Sequence, residues 1–95
     1  MRVKTEKLEF LKRSIKRYLP DAAIYLIGSR ANDNLKGGDI DILVIGKKEL
    51  TGQEKRNIKL AFYKGLGEQK LDIISLTNND SSTFKKLALI DSVRI

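Results

Sequence analysis

The sequence predicts an α/β (α+β) fold in which a small mixed sheet is packed by helices in the order α-β-β-α-β-α. Three segments carry apolar residues at helical spacing. Three others are short apolar or alternating runs, which are typical of strands. The link between the first two predicted strands is too short for a crossover helix, which takes a dozen residues or more. The sheet is therefore expected to be mixed and not doubly wound parallel.

The first predicted helix runs from about Thr5 to Leu19 and is amphipathic. Its apolar residues recur every three or four positions, as one buried face requires, at Leu8, Leu11, Ile15 and Leu19. Its opposite face carries the basic residues Lys7, Lys12, Arg13, Lys16 and Arg17. Pro20 ends the helix, because proline disfavours helical geometry in the residue before it.

Three strands are predicted, with a second helix between the last two. The segment AAIYLIG is expected to be buried on both faces, DIDILVIG is closed by Gly46, and KLDIISLT forms the third strand. Thr51 and Glu54 are spaced as a capping box at the start of the second helix. That helix is expected to end near residues 65–67 and to point inward with Ile58, Ala61, Phe62 and Leu66.

A third helix is predicted near the end of the sequence. Asp80, Ser81 or Ser82 can cap it, since each can accept a hydrogen bond from a free amide of the first turn. Its apolar residues, expected to face inward, are Phe84, Leu87, Ala88 and Ile90. Residues 92–95 either add a short strand or fray.

Composition restricts the chemistry that the chain can perform. Its 95 residues are expected to form one domain, 1–95, and they include no cysteine and no histidine. Disulfides, thiolate metal sites and a histidine base are therefore excluded. The net charge of +7 favours an anionic partner such as nucleic acid or nucleotide phosphates, although a solvated lysine-rich surface explains it equally well.

Location is predicted from what the sequence lacks. The N-terminal segment MRVKTEKLEFLKRSIKRYLP is charged throughout and has no apolar region of the signal-peptide kind. No stretch approaches the ~18 apolar residues of a membrane span. The chain is therefore expected to be cytoplasmic and to have no membrane partner.

Asp39 and Asp41 are the first candidate site residues. Strand side chains alternate between faces, so these two carboxylates point the same way and repel each other. Magnesium would relieve the repulsion, because it prefers one or two carboxylates completed by water and phosphate oxygens. The alternative is that both side chains are solvated or that one caps a turn.

Further candidates lie on either side of this pair. Gly28 and Ser29 follow the first strand, where a glycine permits close approach of a phosphate and a hydroxyl can donate to it. Arg30 could bind a phosphate or hold the loop. Asp72 interrupts an apolar strand, and pairing of that strand with DIDILVIG would bring it near the first two carboxylates. An ordinary turn and a solvent-facing strand edge are the alternatives.

The segment GSRANDNLKGGDIDILV resembles the signature of the nucleotidyltransferase superfamily with the polymerase-beta-like fold: Gly-Ser, a spacer, Asp-x-Asp and a third carboxylate on a later strand. The small size and the GSRA sequence resemble the minimal nucleotidyltransferase (MNT) subgroup. The resemblance implies that Asp39, Asp41 and Asp72 bind two magnesium ions, with Asp72 also helping to deprotonate an attacking hydroxyl. It also implies that Gly28 and Ser29 hold the triphosphate of ATP, with a phosphate contact from Arg30.

The resemblance further implies a partner. MNT proteins of this kind are often paired with a HEPN-domain ribonuclease toxin, which they neutralise, in some systems by transferring AMP to a tyrosine hydroxyl. The leading hypothesis is therefore an antitoxin that adenylylates a HEPN partner. Two alternatives are a non-catalytic antitoxin that silences the toxin by forming a complex, and an RNA-end nucleotidyltransferase that contacts RNA.

Overall fold

A computed structural model describes residues 5–27, 39–66, 70–90 and 92–95, without the side chains of Thr5, Asp39 and Leu66. The described elements follow the predicted order, with one further strand after the last helix. They are α1 (Thr5–Tyr18), β1 (Ala23–Ile27), β2 (Asp39–Gly46), α2 (Gly52–Leu66), β3 (Lys70–Thr77), α3 (Thr83–Ile90) and β4 (Val93–Arg94).

The strands form one mixed sheet in the order β3-β2-β1-β4. β1 pairs antiparallel with both β2 and β4, whereas β2 and β3 are parallel. The parallel pair is joined through α2, which supplies the crossover that a parallel connection needs. The predicted mixed sheet is confirmed, and the C-terminal residues add a short fourth strand.

One face of the sheet carries the main core. α1 and α2 pack there, and Leu11, Ile15 and Phe62 are completely buried against it. The predicted apolar face of α1 is confirmed in full, since Leu8 and Leu19 are buried too. The prediction for Ala61 is wrong, because this side chain is exposed. α2 buries a narrow stripe through Ile58 and Phe62, and Ala61 points about 100° away from Phe62 around the helix.

The opposite face is covered only in part. α3 lies over it, yet none of its residues is buried. Ala88 and Leu89 pack against a smaller cluster formed by Ile27, Leu43 and Ile45. Since α3 leaves part of this face uncovered, Ala23 and Tyr25 of β1 are half-buried, so the expectation that this strand is buried on both faces is only partly correct.

The inward orientation predicted for Phe84, Leu87 and Ile90 is wrong. Their exposed fractions are 50%, 60% and 72%. The three residues recur every third position and so lie along one side of α3. The helix contacts the sheet through another side, which carries Ala88 and Leu89.

Side chains cap the N-termini of α2 and α3. The Thr51 amide donates to Glu54 Oε1 at 2.9 Å and the Glu54 amide donates to Thr51 Oγ at 3.0 Å, which confirms the predicted capping box. At α3 the cap is Ser82, whose Oγ accepts from the Lys85 amide at 3.2 Å. Among the described helices, none is long and apolar enough to cross a membrane.

Candidate functional site

Two carboxylates lie side by side on the face that α3 covers in part. Asp41 of β2 has Ile27 of β1 and Asp72 of β3 as its Cα register partners. Because strand side chains alternate, Asp41 and Asp72 share the face of Leu43 and Ile74, away from α1 and α2. Both are half-buried. The predicted approach of Asp72 to the second strand is therefore confirmed.

The remaining predicted residues can be placed only in part. Asp39 begins β2 in register with Lys70, two residues before Asp41, and its side chain lies outside the description. Gly28, Ser29 and Arg30 lie outside the described residues. Gly28 directly follows Ile27, the register partner of Asp41.

A pocket of about 680 Å³ opens beside the two carboxylates. Among the described residues, its polar lining consists of Asp41, Asp72 and Lys59. The apolar lining from the same residues consists of Ile27, Ile73, Ile74, Phe84, Leu87 and Ala88. The volume lies within the range that nucleotides and other small ligands occupy. The pocket thus joins an acidic end to an apolar wall.

The donor set at the acidic end suits a hard divalent cation. Asp41 and Asp72 offer carboxylate oxygens, the ligands that magnesium prefers, and the chain has no histidine or cysteine to favour a softer metal. Partial burial also weakens the screening of their mutual repulsion, which a bound cation would relieve. Within the described part of the chain, two such groups meet, and no cluster of three possible ligands forms.

Lys59 is a pocket residue that sequence reasoning missed. It lies on α2, on the other face of the sheet, but follows the buried Ile58 directly and lines the pocket with Asp72 of the edge strand β3. No motif marks this lysine among the many of the chain. Helical geometry, which turns it about 100° from Ile58, is the one available indication.

The start of α3, and with it the apolar wall, is fixed by polar contacts. Asp80 Oδ1 accepts from the Ser82 amide at 2.8 Å. Hydrogen bonds to Asp80 from the side chain and the backbone amide of Ser82, together with the charge of Lys85, lower the pKa of Asp80. Lys85 Nζ donates to the carbonyl oxygens of Thr77, Asn78 and Asp80 at 3.4, 3.2 and 3.0 Å. α3 is therefore tied to the end of β3.

The fold resembles that of a solved structure. The chain is similar to one in the structure of a tri-AMPylated Shewanella oneidensis HEPN toxin in complex with an MNT antitoxin, with a TM-score of 0.58 and 19% identity over 93% of this chain and 70% of that one. It is also 25% identical to a candidate nucleotidyltransferase from Sulfolobus solfataricus, with a TM-score of 0.49 over 99% of this chain and 89% of that one. No curated protein sequence matches significantly.

The first of these similarities supports the predicted polymerase-beta-like fold. The sequence itself supplies the family. Residues 8–94 match the sequence model of the nucleotidyltransferase domain, which is nearly the whole chain. The chain, with its paired strand carboxylates beside a nucleotide-sized pocket, belongs to the nucleotidyltransferase domain family.

Proposed function

We propose that the chain is a magnesium-dependent nucleotidyltransferase that acts as an antitoxin, transferring AMP from ATP to a tyrosine hydroxyl of a HEPN-domain toxin. The observation that carries the proposal is the register pair of Asp41 and Asp72 at the acidic end of the pocket, in a chain of the nucleotidyltransferase domain family. The fold that it shares with the complex of an MNT antitoxin and a tri-AMPylated HEPN toxin supports the choice of partner and of AMP as the transferred group.

The proposed roles follow the chemistry of the side chains. Asp39, Asp41 and Asp72 would hold two magnesium ions, while Gly28, Ser29 and Arg30 would hold the triphosphate. When bound, the metal would neutralise phosphate charge and stabilise the entering and leaving oxygens of the displacement. Phosphoryl-type transfer otherwise depends mainly on positioning and electrostatics, so the absence of histidine is no obstacle.

The reaction balances with groups of this chain and its two substrates. The acceptor hydroxyl oxygen attacks the α-phosphorus of ATP, and the bond from that phosphorus to the oxygen bridging the β-phosphate breaks. Pyrophosphate leaves, and the hydroxyl proton passes to the carboxylate of Asp72. Because β3 is an edge strand, Asp72 lies at the margin of the sheet, where an acceptor can approach.

A labelling experiment tests this function. Incubation of the chain with magnesium, the HEPN-domain protein and ATP labelled on the α-phosphate should label the HEPN-domain protein, whereas γ-labelled ATP should not. The Asp39→Asn/Asp41→Asn variant should lose the labelling. Asp21→Asn is the matched control, because Asp21 is exposed and pairs with Lys47 at 3.6 Å outside the pocket lining. Equal labelling by the double variant would refute the mechanism.

Simple occlusion is the second candidate function. The exposure of Phe84, Leu87 and Ile90 on α3 favours it, because a surface of this kind suits binding of a protein whether or not a reaction follows. It predicts that the Asp39→Asn/Asp41→Asn variant neutralises the toxin as fully as the parent chain. Catalytic neutralisation predicts that the same variant leaves the toxin active.

A further inference from the structure

α3 presents an unusual concentration of exposed apolar side chains. Among the described residues, four large hydrophobic side chains are exposed: Leu60 on α2 and Phe84, Leu87 and Ile90 on α3. The last three, named here the α3 strip, follow one another at three-residue spacing and so form a continuous surface. Exposed apolar patches of this kind typically mark sites of macromolecular association.

We propose that the α3 strip is the docking surface for the acceptor protein. This inference rests on the proposed function and adds to it the place where the acceptor binds. The occupant is a protein segment with apolar anchor residues, which seat on the strip and bring a nearby hydroxyl to the carboxylates.

The position of the strip relative to the pocket supports this assignment. Phe84 and Leu87 line the same pocket as Asp41 and Asp72. Ile90 is outside the pocket lining and is the most exposed of the three. The strip therefore begins at the apolar wall of the pocket and continues beyond the pocket lining. A small ligand does not need that extension, whereas a protein surface does.

The charged residues of α3 also indicate what kind of protein surface would bind there. α3 carries Lys85 and Lys86 and no acidic residue, and Asp91 follows the helix directly in the sequence. Lys86 is exposed and next to the strip in sequence, whereas Lys85 binds backbone carbonyls. A complementary protein has apolar anchors and an acidic residue that faces Lys86.

RNA would match the charge of this surface but not its apolar side chains. Single-stranded RNA is bound chiefly by stacking on aromatic rings and arginine planes. Leu87 and Ile90 are aliphatic and offer no such plane, so Phe84 alone could stack a base. The chemistry of the α3 strip therefore favours a protein.

The strip is also held ready for binding. Ser82 caps α3, and the three carbonyl contacts of Lys85 fasten the helix to the end of β3. A surface that is ordered before association loses less conformational entropy when the partner binds.

The test measures two dissociation constants for the full chain, one for the HEPN-domain protein and one for magnesium-ATP. Ile90→Glu places a charge on the strip outside the pocket and should weaken HEPN binding by about 10-fold or more, while the constant for magnesium-ATP stays unchanged. Leu60→Glu, the same change at an exposed apolar residue of α2, should leave both constants unchanged. Lys86→Glu should slow association and reduce its salt dependence.

The outcomes separate the two proposals. Equal HEPN binding by the parent chain and Ile90→Glu overturns the docking surface, while labelling of the HEPN-domain protein would leave the proposed function intact. Failure of the parent chain to bind the HEPN-domain protein overturns both, whereas binding without labelling overturns the proposed transfer. Light scattering provides a further arm: a parent dimer that Ile90→Glu dissociates would assign the strip to a second copy of the chain and overturn the inference.

Discussion

At the scale of single residues, the pair of Asp41 and Asp72 decides the character of the site. The two side chains are adjacent and half-buried, so together they offer a cation carboxylate oxygens that are partly shielded from water. A cation that binds between them would be held by both. The folded chain is therefore expected to be stabilised by a metal-nucleotide complex.

Replacing either carboxylate, by Asp41→Asn or Asp72→Asn, should remove that stabilisation. The parent should gain about 2.7 kcal/mol at a magnesium-ATP concentration 100 times its Kd, and both variants should lose most of that gain at the same concentration. Thermal unfolding with and without magnesium-ATP measures both effects, with Asp21→Asn as the control. A parent-sized gain in either variant would contradict this role.

Ser75 is a structural residue of the same strand. It is buried, and its Oγ accepts from the Leu50 amide at 2.8 Å, which joins the loop before α2 to β3. Ser75→Ala would leave that buried amide without a partner, at a cost of about 1–3 kcal/mol. Urea unfolding should show this loss, whereas the exposed Ser81→Ala should change stability by less than about 0.5 kcal/mol. Equal stability of the two variants would contradict the importance of the contact.

At the scale of secondary-structure elements, the attachment of α3 controls the apolar wall of the pocket. Asp80, Ser82 and Lys85 form a small polar group at the start of the helix. These three residues do not line the pocket, so each can be substituted without changing a lining side chain.

The pKa of Asp80 gives this attachment a pH dependence. Hydrogen bonds from Ser82 and the nearby Lys85 lower it from 3.8, so the folded state favours the ionised carboxylate. The resulting stabilisation is fully present above pH 3.8 and is lost as the pH falls through the lowered value. Asp80→Asn should therefore be less stable than the parent at pH 6, with a smaller difference below pH 3.8. Paired urea titrations measure it, and a constant difference would contradict the assignment.

The sequence predicts the helices and strands better than it predicts which of their apolar side chains are buried. The Thr51–Glu54 capping box and the apolar spacing of α1 are local patterns, and both are confirmed. Strand alternation also placed Asp72 on the same face as Asp41. Burial of α3 could not be predicted, because apolar periodicity shows that a helix has an apolar side but not whether this chain or another molecule covers it.

At the scale of the whole molecule, the two faces of the sheet have different roles: one carries the core that stabilises the fold, and the other carries the candidate site. One face of the sheet carries α1, α2 and the main core. The other face carries Asp41, Asp72 and α3, which contributes both to the pocket lining and to the α3 strip. Lys59 is the exception, since it belongs to α2 yet lines the pocket. Its position depends on the packing of a complete helix against the sheet, which explains why no local pattern predicted it.

This division predicts that core mutations change stability without changing the site. Phe62 is completely buried, and its ring lies 6.2 Å from the rings of Phe10 and Tyr63. Phe62→Ala should cost about 3–5 kcal/mol of unfolding free energy. The Kd for magnesium-ATP, measured well below the melting temperature, should stay within about twofold of the parent, a difference of about 0.4 kcal/mol. A large rise in Kd with native circular dichroism would contradict the separation.

Paramagnetic NMR of the isolated chain tests whether the carboxylates of β2 and β3 form the metal-nucleotide site. Manganese-ATP in place of magnesium-ATP should broaden the amide signals of Ile27, Asp41, Asp72 and their neighbours among the described residues. The Asp41→Asn/Asp72→Asn variant should lose this broadening. Broadening that instead centres on the basic face of α1, or that persists around β2 and β3 in the double variant, would contradict the assignment of the metal-nucleotide site to Asp41 and Asp72.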